Sequence, residues 1–414
     1  MMYKIIITLL FVLYLSGSFN SGLHAQTNID SLITSIVSKV EPDSVQHIIQ
    51  NLQNFQTRFL LAGNRFQIAD WLYDRFASFG FTEIERDSFM CTTNYGSTAT
   101  TLQVNIIATL PGTLRPDEVY IIGGHYDSFA YGSEMTNAPG ADDNASGTSA
   151  VLEFARIIME SGYQPEATIK FIAFAAEELM LFGDAGCEHY AQKAYDEGMN
   201  IKLMINCDMI SYNTLPLEQA KVNINYYSGF TNLLNIAKDA TNQFSLITGV
   251  TGSLNQYSDS YPFYEKGFPA IYFEENQFSP YYHTTDDIIT NYDMNYCSEV
   301  IKSAGAMLLK YMDMNAPTNV QNELVLAADY VLLQNYPNPF NPNTIISWQS
   351  PVGSWQTVRV YDILGNEVAT LVNEYKPAGS YTINFDASKL SSGTYFYRLQ
   401  AGEFIATKKL ILIK

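Results

Sequence analysis

Four short runs of almost unbroken apolar residues constrain this chain most: VYIIGG (119–124), ATIKFIAFA (167–175), IKLMINCDM (201–209) and PAIYFEE (269–275). Runs of this length without polar alternation suit strands buried on both faces. Helical periodicity surrounds them. In NRFQIADWLYDRFASFGF, Phe66, Ala69, Leu72 and Phe76 share one face, Asn64 stands as N-cap and Gly80 as the stop; SGTSAVLEFARIIMESG reads as a helix opened by Ser146 and closed by Gly162. Strands alternating with helices predict an α/β domain with a mostly parallel or mixed central sheet sandwiched by helices.

In such sheets, ligands collect beyond the carboxyl ends of the strands. Here those ends carry GGHYDS with His125 and Asp127, FIAFAAEELMLFG with Glu177 and Glu178, and Asp208 in NCDMI. APGADDNASG, with Asp142, Asp143 and Asn144, leads into a helix, and YYHTTDD, with His283, Asp286 and Asp287, lies beyond the last strand. Five segments thus bring His, Asp or Glu to one sheet edge. Adjacent buried glutamates are costly unless something positive faces them, and surplus carboxylates would otherwise repel. Zinc accepts imidazole and carboxylate and keeps a position for water in catalytic sites. Two metals can share a carboxylate and clamp a hydroxide between them, with a neighbouring glutamate to take the proton.

In order and rough spacing, GGHYDS, PGADDNASG, AAEELMLFG, NCDMI and YYHTTDD resemble the motif series of the M28 zinc aminopeptidases, over about residues 60 to 312. The resemblance implies two Zn2+ ions: His125 and Asp208 on one, Glu178 and His283 on the other, and Asp143 bridging. It implies Glu177 as general base and Asp127 as the partner that orients His125. In that family a tyrosine shortly before a Ser-Asp pair often stabilises the tetrahedral intermediate. The corresponding stretch here is GSLNQYSDSYPF, where the tyrosine is Tyr257, immediately before Ser258 and Asp259.

The first 25 residues, with Lys4, an apolar run from Ile5 to Leu15 and Leu23-His24-Ala25, read as a secretory signal peptide. That run is too short to span a bilayer, and no later segment reads as a transmembrane anchor. An exported chain permits disulfides among Cys91, Cys187, Cys207 and Cys297, whose pairing the spacing leaves open. Charge marks a boundary: residues 26–330 carry 15 basic and 37 acidic side chains, whereas 331–414 carry seven and five. A formal charge of −19 excludes nucleic acid and anionic membrane as natural partners. The basic tail alternates with period two between Gly and Asn breaks, predicting a small β-sandwich. NYPNPFNPNT, VYDILGNEV, GTYFYRL and the terminal KKLILIK resemble the C-terminal sorting domain of the type IX secretion system. The expected organisation is a signal peptide (1–25), a dizinc peptidase domain (26–315), a linker (316–330) and a sorting domain (331–414). The resemblance implies recognition by an outer-membrane translocon after passage through the periplasm, and a secreted or cell-surface product.

His47 and His189 read as surface histidines, Asp142 as a turn former, and Glu274 and Glu275 as surface residues. The favoured activity is removal of N-terminal residues from peptides by a metal-bridging hydroxide with Glu177 as base. The alternatives are a single-zinc glutaminyl cyclase on the same scaffold, a carboxypeptidase variant, and an inactive surface binding protein.

Overall fold

The computed structural model describes residues 29–254, 256–316, 330–335, 337–350, 352–376, 379–402 and 404–414. The signal peptide and nearly all of the linker fall outside the described residues. Two compact units divide at Ala316 and Pro317.

The first unit is built on an eight-stranded sheet: β1 (Glu83–Thr93), β2 (Ala99–Leu110), β3 (Arg115–His125), β4 (Ala167–Phe174), β5 (Asn200–Cys207), β6 (Lys221–Tyr226), β7 (Thr248–Thr251) and β8 (Ala270–Glu275). Their spatial order is β1-β2-β4-β3-β5-β8-β6-β7. The centre, β4-β3-β5-β8, is parallel, and so is the β6–β7 pair; β1–β2, β2–β4 and β6–β8 are antiparallel. The sheet is mixed, with the parallel strands where the sequence has its unbroken apolar runs.

Alternation within those runs sends side chains to two cores. Tyr120, Ile122, Phe171, Ala173, Leu203 and Ile205 pack against one set of helices: α1 (Pro42–Gln53), α2 (Arg65–Ser78), α3 (Ala145–Ser161), α5 (Thr231–Phe244) and α7 (Met294–Met314). Ile121, Ile172, Phe174 and Met204 pack on the opposite face against α4 (Gly186–Asp196) and the short α6 (Tyr261–Glu265). Burial of this apolar surface on both faces drives the fold.

Local details differ from the sequence reading. The inward face of α2 is Ile68, Ala69, Leu72 and Phe76, and Phe66 is 41% exposed. Asn64 makes no capping bond; its Nδ2 donates instead to the carbonyls of Phe55 and Thr57, at 3.2 and 2.9 Å. Helix α3 starts one residue earlier than expected, capped by Asn144 rather than Ser146, while Gly162 closes it in the left-handed conformation. All four cysteines are buried and unpaired. No described helix is long and apolar enough to cross a membrane.

The second unit holds two antiparallel sheets. One is β13-β10-β9, from β9 (Val331–Leu332), β10 (Asn343–Ser350) and β13 (Gly379–Asp386). The other is β12-β11-β14-β15, from β11 (Ser354–Tyr361), β12 (Glu367–Lys376), β14 (Gly393–Ala401) and β15 (Phe404–Leu412). Ile346, Trp348 and Phe385 of the first sheet share a core with Val358, Val360, Tyr397, Leu399 and Leu410 of the second. This is a small sandwich, as the alternation predicted.

Candidate metal centre

The carboxyl ends of β3, β4 and β5 converge. His125 is the last residue of β3, Glu177 and Glu178 follow β4 by three and four positions, and Asp208 directly follows β5. Asp143 enters from the turn before α3, and His283 from the loop beyond β8. Close packing of the α3 N-terminus makes this convergence possible. A Cβ on Gly147 would lie 1.9 Å from the Cys207 carbonyl oxygen, so only glycine fits there. Asn144 locks the joint: Nδ2 donates to Cys207 O at 3.1 Å, and Oδ1 accepts the Gly147 N–H at 2.7 Å. The Thr148 hydroxyl donates to the carbonyl of His125 at 2.6 Å.

The side chains form one buried cluster. Asp143 spans both histidines, with Oδ1 at 3.4 Å from His125 Nε2 and Oδ2 at 3.2 Å from His283 Nε2. Beyond His125 lie Asp208 Oδ1 at 3.4 Å and Glu177 Oε2 at 3.7 Å. Beyond His283 lies Glu178 Oε2 at 2.8 Å. Two overlapping sets, His125–Glu177–Asp208 and His125–Asp143–Glu178, have candidate ligand atoms all within 4.8 Å of one another. Glu177 thus groups with Asp208 as a candidate ligand of the same set.

Asp127 serves three groups at once. Oδ1 is 3.4 Å from His125 Nδ1 and accepts the Glu177 N–H at 3.0 Å; Oδ2 accepts the Glu178 N–H at 3.2 Å. One carboxylate therefore holds the turn bearing both glutamates and stands beside the His125 ring. Ala176, Met209 and His283 adopt positive φ (61°, 50° and 56°). Non-glycine residues rarely do so, and such strain gathers at functional sites.

Burial dominates the electrostatics of the cluster. Burial raises Glu177 well above the usual carboxyl range; Asp208, Asp259 and Glu178 add to the rise and His125 opposes it. Burial and Asp143 raise Glu178 to about 8, against the pull of His283. Burial alone would lower His283, but Glu178 and Asp143 hold it at about 11. His125 is likewise raised against burial, by Glu177 and Asp208. Burial also works on Asp143, yet hydrogen bonds from the two histidines keep it below the usual range. Glu178 Oε1 and Asp208 Oδ1 are buried and accept no hydrogen bond. Unsatisfied buried carboxyl oxygens, two imidazoles and a carboxylate between them make a donor set that fits divalent zinc.

The other residues singled out from the sequence range from exposed to fully buried. Tyr257 is 59% exposed. His189 is half-buried, stacked on Phe89 and 3.3 Å from Asp87, because α4 packs it against β1. Asp142 is buried and accepts from the Ser211 N–H and hydroxyl at 2.9 and 2.6 Å. Glu275 is buried too, since alternation along β8 points it inward; it accepts the N–H groups of Tyr212 and Ser279 at 2.7 and 2.8 Å. His47 is exposed, as expected.

Two carboxylates that the sequence offered without an individual role lie close to the cluster. Asp287 accepts the N–H groups of Asp142 and Asp143 at 2.8 and 3.2 Å, holding the turn that presents Asp143. Asp259 is fully buried, raised to about 7 by burial with Asp208 and Asp127 adding to the rise. Its signal in the sequence was the Ser258-Asp259 pair that follows Tyr257.

Residues 105–308 match the profile of peptidase family M28, and residues 334–414 that of a secretion system C-terminal sorting domain. A probable zinc metalloprotease of Pyrenophora teres f. teres is 34% identical over 197 residues, 44% of this chain and 41% of the relative. The chain thus spans well under half the length of that relative. A probable leucine aminopeptidase of Trichophyton verrucosum is 27% identical over 317 residues, covering 68% of this chain and 73% of its own length. The crystal structure of the Legionella pneumophila LapA aminopeptidase superposes with a TM-score of 0.58 at 20% identity, covering 68% of this chain and 74% of that one. At that identity the likeness speaks for the fold.

Proposed function

We propose that this chain, whose residues 105–308 belong to peptidase family M28, is an exported zinc aminopeptidase that removes N-terminal residues from peptides. One observation carries the reading: the Asp143 carboxylate lies between His125 and His283, with Asp208 and Glu178 on the outer sides. His125 and Asp208 would hold one zinc ion, Glu178 and His283 a second, and Asp143 both. Zinc supplies Lewis acidity toward the peptide carbonyl and toward water.

The remaining work falls to the chain itself. Glu177 accepts a proton from the attacking water and returns it to the leaving amine. The Glu177 carboxylate is buried beside the cluster, with Oε2 3.7 Å from His125 Nε2. Asp127 keeps the His125 ring and the Glu177–Glu178 turn in register through its two oxygens. Asp287 and Asn144 hold the backbone on either side of Asp143. No role is assigned to Tyr257.

The sorting-domain match at 334–414 supports export through the type IX translocon to the cell surface or medium. The two proposed zinc ions and the peptide substrate rest on the donor set and on what the relatives are called.

The test is to assay the zinc-loaded chain on aminoacyl anilides with free or acetylated N-termini. Release from the free substrates alone is expected. Release from acetylated substrates would remove the aminopeptidase reading. Cyclisation of an N-terminal glutamine without anilide release would favour the cyclase alternative.

A further inference from the structure

Arg58 lies outside the segment that matches the peptidase family, in the connection between α1 and α2. It is 1% exposed, and all its guanidinium hydrogen bonds go to backbone carbonyls. Nε donates to Tyr126 O at 2.7 Å; Nη1 donates to Pro139 O at 2.7 Å and Leu52 O at 3.3 Å; Nη2 donates to Gly140 O at 2.7 Å. A buried cation that bonds only neutral acceptors is costly to keep. The location of those acceptors accounts for it.

Tyr126 sits between His125 and Asp127, and Pro139 and Gly140 begin the turn that delivers Asp143. Both stretches belong to the single connection between β3 and α3, and its two ends meet on this one side chain. The Arg58 backbone N–H also donates to Ser128 Oγ at 3.0 Å, and that hydroxyl donates to Ala138 O at 2.7 Å, so a second link joins the two ends of this connection. The fit is close. Gly140 has φ +53°, and a Cβ there would lie 2.7 Å from Arg58 Nη2 and 2.5 Å from Asp143 O.

We infer that Arg58 is a positioning residue for the metal centre: by tying together the two ends of the β3–α3 connection, it fixes where Asp143 stands relative to His125 and Asp127. The inference rests on the zinc reading above. The positive charge is part of the arrangement. Burial lowers its pKa to about 10, with Asp287, Asp127, Glu178 and Asp143 acting in the opposite direction, so it remains a cation beneath an acidic cluster. Lysine would keep the charge, but one ammonium lacks the planar fork that reaches separate carbonyls.

The test uses the full chain stripped of metal, as wild type, Arg58→Lys and Ser128→Ala. Zinc affinity is read by competition with a chromogenic chelator, cobalt ligation by visible absorption, and folding by circular dichroism. Arg58→Lys is expected to remain folded, to bind zinc about tenfold to a hundredfold more weakly, and to shift the cobalt spectrum. Ser128→Ala, which breaks only the second link, is expected to weaken zinc by a smaller factor. A folded Arg58→Lys protein with unchanged zinc affinity and cobalt spectrum would overturn the inference and leave Arg58 a purely structural tie. If Arg58→Lys does not fold, an unchanged affinity in Ser128→Ala overturns it instead. Wild-type protein that binds no zinc would bring down the metal reading, and this inference with it.

Discussion

Glu177→Gln is expected to lower kcat on a free aminoacyl anilide by roughly 10²–10⁴-fold, the usual contribution of a positioned general base, while zinc content stays at the wild-type level. The substitution keeps the size and planarity of the side chain and removes its capacity to hold a proton. It leaves untouched the backbone N–H that binds Asp127 Oδ1 at 3.0 Å, so the turn should hold. The distances leave a competing role open, because Glu177 Oε2 is 3.7 Å from His125 Nε2 and groups with Asp208 as a candidate ligand set. Metal analysis on the same sample separates the two. Loss of zinc along with activity would make Glu177 a ligand and pass the role of base to Glu178.

The second large effect concerns pH. Metal-free protein should lose stability as pH rises from about 5 to 9, and zinc should reduce that loss. The folded chain holds Glu178 at about 8, against an ordinary 4.5, and Asp259 at about 7, against 3.8. A carboxyl group raised on folding takes up a proton when the chain folds. Its contribution is fully present below the unfolded pKa and is lost as pH rises through the folded one. His283, at about 11 against 6.5, acts with the same sign over a higher window. Asp143, which is lowered, acts with the opposite sign and only in strong acid. For several fully buried groups the combined loss is on the order of a few kcal/mol, enough to move an unfolding midpoint by several degrees. Zinc takes the place of the protons on Glu178 and His283, so its stabilisation should grow over the same interval. Unfolding midpoints from pH 5 to 9, with chelator and with zinc, check this. A metal-free midpoint that rises with pH would mean that the buried acids are already balanced within the chain.

The sequence disclosed those parts of the site that chain direction and strand period dictate. Parallel buried strands all deliver their next residues to the same edge of the sheet, and His125, Glu177, Glu178 and Asp208 were legible for that reason. Asp143 and His283 were legible from their motifs and lie at the same edge. The parts that stayed hidden depend on contacts between distant segments. Asp287 binds backbone 144 and 145 positions away, and Arg58 reaches carbonyls 68 to 82 positions ahead. Glu275 was misread because an acidic pair at the end of a strand looks exposed, although alternation continuing through β8 turned it inward. Ser146 lost the cap to Asn144 because Asn144 also satisfies the Cys207 carbonyl, while the Ser146 hydroxyl is engaged by Asp142 O at 2.7 Å. On α2, Phe66 yielded its inward place to Ile68, although both positions fit a helical stripe.

The central claim is that five side chains, His125, Asp143, Glu178, Asp208 and His283, form one centre for two metal ions. It is tested most directly by titrating zinc into the stripped full chain and counting bound equivalents by elemental analysis after gel filtration. The account predicts two equivalents, with Glu177→Gln retaining both. One equivalent, or none, in well-folded wild-type protein would contradict it.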